Sequence, residues 1–288
     1  MKKIPAFLYA FTPYLLVEAL TILIGVILPM LSVLILMGLA MTGSSPALQE
    51  MMNITENADY NNFISCAYCL IAIPFFGMWY YSRCGGSFRI RGREVSIPLQ
   101  IASMAVIVSG LQLMSSYICL AIEIVSPSMM EQYNELIDSM GIASDTTLWV
   151  VLYSVVFAPV CEELVFRGVT LRLFERVFPA FWPANLLQAL LFGLFHGNWV
   201  QGIYAFVLGT ILGLYCEKGG SIWCSILLHM LFNSWAFFMP DLLALLPDAL
   251  WVDLLLTVVM VLSLAGGFLL FYISNRPGLY GEEEEQDN

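Results

Sequence analysis

The chain has 288 residues, 60% of them apolar and 11% charged, with a mean hydropathy of +0.82. A soluble domain carries about a quarter charged residues, so a water-soluble enzyme and a disordered chain are both excluded. Twenty-two acidic against 11 basic residues give a net charge of −11, which leaves no basic surface for nucleic acid.

The expectation is an all-α, multi-pass membrane protein. A membrane helix needs about 20 predominantly apolar residues. Such runs lie at about 11–40, 62–82, 97–125, 147–167, 183–199, 202–217, 221–239 and 249–274. The first follows Lys2 and Lys3, is too long for a signal-peptide core, and is read as a retained span bent at Pro29. The first and third are long enough to tilt. The fifth and sixth are short, separated by little more than Gly197-Asn198. The division that follows is an N-terminal transmembrane region at 1–146, a core of about four helices at 147–240, a C-terminal helix at 241–275 and a tail at 276–288. Glu282 to Glu285 and Asp287 make that tail a solvated acidic end.

Lysine and arginine collect on the cytoplasmic side of bilayer proteins. Lys2, Lys3, Arg83, Arg89, Arg91, Arg93, Arg167, Arg172, Arg176, Lys218 and Arg276 all fall on one side of an eight-span layout. The opposite loops hold Glu50, Glu56, Asp59, Glu131, Glu135, Asp138, Asp145, Asp241 and Asp248. Both termini are therefore expected in the cytoplasm, with the chain in the cell membrane. The seven cysteines do not form a disulfide framework. Cys66 and Cys69 make a C-x-x-C that reads as two small residues on a helix, because no second Cys/His pair accompanies it. Asn53-Ile-Thr55 fits the glycosylation pattern, a triplet common by chance.

An ionisable residue inside a span is costly and marks a functional hypothesis. Glu18, Glu123, Glu162, Glu163, Arg167, His196 and His229 qualify, and the chain's two histidines both lie in apolar runs. Glu163 and Arg167 are four apart with the acid first, the favourable order for a helical pair. Glu162 points about 100° away, has no obvious partner, and suits a general base. His229 and Asn233 are also four apart and share a face, while Phe192 lies one turn behind His196. The competing structural reading makes Glu163–Arg167 an interfacial anchor and His196 and Asn233 interhelical glue. Glu18 and Glu123 are not assigned catalytic roles.

Glu162-Glu163-Leu-Val-Phe-Arg167 resembles the E-E-x-x-x-R motif of the CAAX protease and bacteriocin-processing family of intramembrane proteases. Phe192-Gly-Leu-Phe-His196 is similar to its F-x-x-x-H motif, and His229-Met-Leu-Phe-Asn233 to its H-x-x-x-N motif. Gly168 and the Gly209-Thr-Ile-Leu-Gly213 segment also look familial. The resemblance covers roughly 154–238 and leaves the first three spans and the last unmatched.

The resemblance implies peptide-bond hydrolysis within the membrane by the core at 147–240, on a membrane peptide or protein substrate, lipidated or not. By that analogy Glu162 activates water. His196, His229 and Asn233 bind the water or the developing oxyanion, and Glu163, Arg167 and Phe192 support them. No cofactor is favoured, because Asn is a poor zinc ligand, but Glu162, His196 and His229 with a water would also suit a tetrahedral zinc site. A non-proteolytic membrane adaptor or bacteriocin-immunity-type protein on the same fold is the alternative. A proton-relay transporter lacks the inverted repeat such proteins often show. Ideal upright helices would spread Glu162, His196 and His229 over about 15 Å at 1.5 Å per residue. Their convergence therefore predicts an irregular, tilted or broken fifth span, permitted by Pro183, Gly193 and Gly197.

Overall fold

The computed structural model describes residues 3–41, 57–85, 95–141 and 147–276, and all regular structure in them is helical. The expectations for Lys2, Glu50, Asn53, Thr55, Glu56, Arg89, Arg91, Arg93, Asp145 and the acidic tail lie outside these residues. In hydrocarbon every backbone polar group must be satisfied within its own segment, which leaves helices as the solution for apolar runs of this length. The helices are α1 (Lys3–Tyr9), α2 (Thr12–Met41), α3 (Ala58–Arg83), α4 (Ile97–Val125) and α5 (Pro127–Ser139). After them come α6 (Leu148–Glu175), α7 (Phe181–Phe195), α8 (Trp199–Lys218), α9 (Ile222–Ala244) and α10 (Leu250–Ser274). Side-chain caps fix several starts: Asn57 accepts from the amides of Asp59 and Tyr60, Asn198 from Val200 and Gln201, and Ser221 from Trp223.

Seven spans among the described residues are long and apolar enough to cross a bilayer. The predicted fifth span, 183–199, is the exception. It forms a helix of only 15 residues, about 22 Å long at 1.5 Å per residue, against a hydrocarbon core of about 30 Å. The chain stops at Phe195, turns through Gly197 at φ +64°, a conformation that costs only glycine nothing, and starts α8 at Trp199. The fourth predicted span, 147–167, is also corrected. Its helix runs on to Glu175, and Arg167 is fully buried within the bundle.

Two helices were not anticipated. Short α1 packs Phe7 against Phe174 and Phe178 near the end of α6. Helix α5 is amphipathic: Met129, Met130, Tyr133, Leu136 and Ile137 are half-buried, while Glu131, Glu135 and Asp138 are exposed. Tyr133 reaches the hydroxyl of Tyr204 on α8 at 3.1 Å.

Small residues set the helix spacing, as is usual without a hydrophobic drive between helices in lipid. Gly267 of α10 sits against Ile107 of α4, where an added Cβ would lie 2.5 Å from the isoleucine Cβ. Ser103 donates to the Gly267 carbonyl at 2.8 Å and meets the Tyr215 hydroxyl at 2.6 Å. The hairpin of α7 and α8 is tighter still: a Cβ on Gly193 would lie 2.6 Å from the Gly202 carbonyl oxygen, and one on Gly213 would lie 1.8 Å from Asn185 Oδ1. Gly213→Ala should therefore destabilise the protein by about 1–3 kcal/mol through overpacking. Thermal unfolding in detergent checks this, with Gly25→Ala as control, since nothing lies within 4 Å of that site. Equal midpoints for the two variants would contradict this packing.

Contacts gather one set of helix ends together. Arg176 donates to the Arg83 carbonyl, Lys218 lies over the Phe181 ring at 5.8 Å, and Gln100 donates to Gly219 and Asn275. At the opposite end Thr147 donates to Asp59, and Asn62 to the Met140 carbonyl.

Candidate active site

The site is assembled around α6, whose helical register is interrupted twice. Leu152–Phe157 and Leu164–Thr170 are π-helical and flank the α-helical turns that carry Glu162 and Glu163. Such segments concentrate at functional sites. The first has a cause legible in the sequence. The Ala158 amide donates to Tyr153 rather than to Ser154, and the next residue, Pro159, has no N–H to offer. Asn233 Nδ2 on α9 donates to the Ser154 carbonyl at 2.8 Å. The third motif is thus tied to the opening that a proline leaves in the first motif's helix. In the second π segment the Thr170 hydroxyl donates to the Val165 carbonyl at 2.8 Å, and the Leu171 amide donates to Phe166.

Glu163 and Arg167 form the expected pair at 2.8 Å, with both side chains fully buried. A buried charge pair is held only when further hydrogen bonds complete it. His229 supplies one: its Nδ1–H donates to Glu163 Oε1 at 2.9 Å. Arg167 supplies another, from Nη2 to the Gly209 carbonyl at 3.1 Å, and its guanidinium lies 4.3 Å from the centroid of the Phe192 ring. The pair is therefore packed against the neighbouring helices α7, α8 and α9.

Glu162 points elsewhere, as its position on the helix requires. Its Oε2 lies 3.8 Å from His229 Nε2, and its side chain keeps 14% exposure where Glu163 has none. One imidazole therefore faces both glutamates, structural on its Nδ1 side and open on its Nε2 side. His196 caps the end of α7, and its Nδ1–H donates to the Phe192 carbonyl at 2.8 Å. Both rings meet Phe192 edge-on, at centroid distances of 4.9 Å for His196 and 5.7 Å for His229. Phe192, fully buried, is the partition around which both histidines and Arg167 are arranged. His196, at the end of short α7, and His229 thus meet the same phenyl ring, and the register shifts in α6 are an irregularity that the sequence did not announce.

An imidazole whose Nδ1 donates to an oxygen that can only accept leaves, in its neutral form, the lone pair on Nε2. In that form each Nε2 can accept a proton or an O–H donor. Among the described residues no group of three His, Cys, Asp or Glu side chains is placed to hold a metal ion. Cys66 and Cys69 are free thiols, as are the other five. Glu123 is exposed near the end of α4, and Glu18 is half-buried on α2.

Two further polar residues belong to the assembly and went unrecognised in the sequence. Gln188 and Asn185 on α7 are fully buried. Gln188 donates to the Gly209 carbonyl at 3.1 Å, the same oxygen that receives Arg167, and to Asn185 Oδ1 at 2.8 Å. Asn185 donates to the Thr210 carbonyl at 2.9 Å. The close approach needs Gly209 and Gly213, whose Cβ positions are blocked by Phe192, Arg167, Asn185 and Gln188. A continuous chain of hydrogen bonds thus runs from His229 through Glu163, Arg167 and the Gly209 carbonyl to α7. Unlike Asn233, four residues from His229, these two neutral amides stand three or four residues from no ionisable side chain. Their i, i+3 spacing opposite Gly209 and Gly213 was the available signal.

Residues 144–235 match the family model Rce1-like, described as type II CAAX prenyl endopeptidase Rce1-like. No curated protein and no solved structure matches the chain. The matched segment contains all three motifs, from Glu162 to Asn233, and the Rce1-like description points to a peptidase working at the membrane. By its motifs and by this match, the segment 144–235 is similar to the CAAX protease and bacteriocin-processing family, here set in a multi-pass, all-α membrane protein.

Proposed function

We propose that this protein is a glutamate-type intramembrane endopeptidase that hydrolyses a peptide bond of a membrane-associated peptide or protein, a lipidated tail among the candidates. It sits in the cell membrane with both termini in the cytoplasm, and its catalytic core is 147–240. The observation that carries the reading is the meeting of Glu162 and His229 at 3.8 Å across two helices, with His229 fixed from behind by the Glu163–Arg167 pair.

Peptide hydrolysis needs a base, a positioned water and donors to the oxyanion. Glu162 takes a proton from water as the water oxygen bonds to the scissile carbonyl carbon. One O–H of the water faces Glu162, and the Nε2 lone pair of one imidazole, His196 or His229, accepts the other O–H and orients the attack. The carbonyl electron pair moves onto oxygen, where the Asn233 amide hydrogen not spent on Ser154 donates to it. An imidazole contributes a donor there only after gaining a proton. The C–N bond then breaks, and the proton held by Glu162 passes to the leaving amine. Glu163, Arg167 and Phe192 hold the two rings. No step calls on a metal.

Membrane peptides compared between cells carrying the native chain and Glu162→Ala test this reading. The expected result is at least one membrane peptide that accumulates uncleaved in the variant. Identical peptides, with biological function intact in the variant, would favour a non-proteolytic adaptor.

A further inference from the structure

We propose that the end of α3 bearing Arg83 is a binding site for the headgroup of an anionic phospholipid. The groove there has a volume of roughly 500 Å³ and is lined by Tyr9, Phe75, Met78, Trp79, Ser82 and Arg83. It lies between the end of α1 and the last two turns of α3, at the helix ends that gather Arg83, Arg172, Arg176 and Lys218. It is separate from the glutamate–histidine site and does not depend on the peptidase reading.

The groove is amphipathic along its length. From Phe75 to Arg83 the helix rises about 12 Å at 1.5 Å per residue. The lower part is aromatic and apolar: Trp79 lies 6.1 Å from Phe75 and 6.3 Å from Tyr9 between ring centroids. Phe75 and Met78 remain 45% and 65% exposed, a surface suited to an acyl chain. The upper edge is cationic. Arg176 donates to the Arg83 backbone carbonyl, which brings its guanidinium to the same edge. An aromatic wall under a basic edge is the chemistry of a bilayer interface that selects phosphate headgroups.

The charge balance at this end supplies the sign of the ligand. Glu175 and Glu217 are both committed to Arg172, at 2.8 and 2.5 Å. Among the described residues neither Arg83 nor Arg176 has a carboxylate partner. Two cations with no carboxylate partner among the described residues, above a groove that fits a hydrocarbon chain, call for an anion that carries such a chain. Free phosphate would leave the aromatic wall unused. A choline headgroup would bring a cation against two guanidinium groups. A phosphatidylglycerol-type lipid satisfies both ends.

The test uses the full-length protein in an uncharged detergent, titrated with short-chain phosphatidylglycerol, with phosphatidylcholine of the same chains, and with inorganic phosphate. Binding is read by native mass spectrometry and by the shift in thermal unfolding. Phosphatidylglycerol should bind and raise the midpoint, while the other two should not. Arg83→Gln should weaken phosphatidylglycerol binding by about tenfold, the loss of one charge-assisted hydrogen bond, with the lipid-free midpoint unchanged. Arg176→Gln provides a second variant, expected to weaken binding in the same direction. Equal binding of phosphatidylcholine, an equal effect of inorganic phosphate, or native affinity in both arginine variants would each overturn the proposal.

Discussion

Glu162→Gln should abolish turnover while leaving the protein folded, with kcat falling by roughly 10²–10⁴-fold, the usual range for removing a general base. The substitution keeps shape and volume, so packing against α9 is undisturbed. What changes is the capacity to take a proton 3.8 Å from His229 Nε2. Glu162 has no cationic partner of its own, because Arg167 Nη1 bonds Glu163. A carboxylate held in an apolar bundle without a full partner costs stability, and a neutral amide relieves that cost. The thermal midpoint of Glu162→Gln is accordingly expected to equal or exceed the native one. Cleavage of a membrane peptide in reconstituted vesicles, measured with the unfolding midpoint, checks both halves. Native turnover in a folded Glu162→Gln protein would remove Glu162 from the chemistry.

The neighbouring carboxylate should behave in the opposite way. Glu163→Gln leaves Arg167 fully buried and charged without its counter-ion, a type of change that costs about 3–5 kcal/mol. It also weakens the bond that orients His229. The expected variant unfolds at a much lower temperature, and loses activity because it loses structure. Removing both charges in Glu163→Gln with Arg167→Met should recover part of the stability, because the lone buried charge is gone. The double variant would stay inactive through the freed imidazole. Unfolding midpoints for the two single variants and the double variant form a cycle that isolates the pair. A Glu163→Gln protein as stable as the native chain would contradict the assigned role. On the proposed mechanism, two adjacent glutamates, 100° apart on one helix, separate reaction from architecture.

Much of this arrangement was legible in the sequence because charge is scarce in it. With so few ionisable residues inside apolar runs, Glu163–Arg167 could be paired from i, i+4 spacing alone, and Glu162 was left facing another way. The structure keeps that geometry and adds His229 between the two acids. What remained illegible is long-range or backbone in origin. Pro183, Gly193 and Gly197 announced an irregular fifth span, but the length of Phe181–Phe195 is set by the turn at Gly197 and by packing against α8. The amphipathic helix Pro127–Ser139 was read as loop because its average hydrophobicity is low, and an interfacial helix shows itself in periodicity instead. The π segments escaped because side-chain periodicity assumes constant register. Pro159, three residues before Glu162, was the one visible hint.

The wide turns in α6 also bear on how such a site tolerates change over time. Each π segment is equivalent to one residue more than an α-helix of the same span would hold. Losing a single residue between Leu152 and Phe157 would return that stretch to ordinary winding with little harm to its insertion. Because the wide turn already absorbs the extra residue, everything beyond the deletion would keep nearly its present direction. Glu162 would still face His229, and the change would fall on the wide turn itself, where Asn233 meets the Ser154 carbonyl. The extra residue is therefore held locally, without re-aiming the carboxylates that follow it. Single-residue gaps between Leu152 and Phe157 are expected to be felt at the Asn233 contact, while conservative exchanges among Leu152, Val155 and Val156 pass without effect.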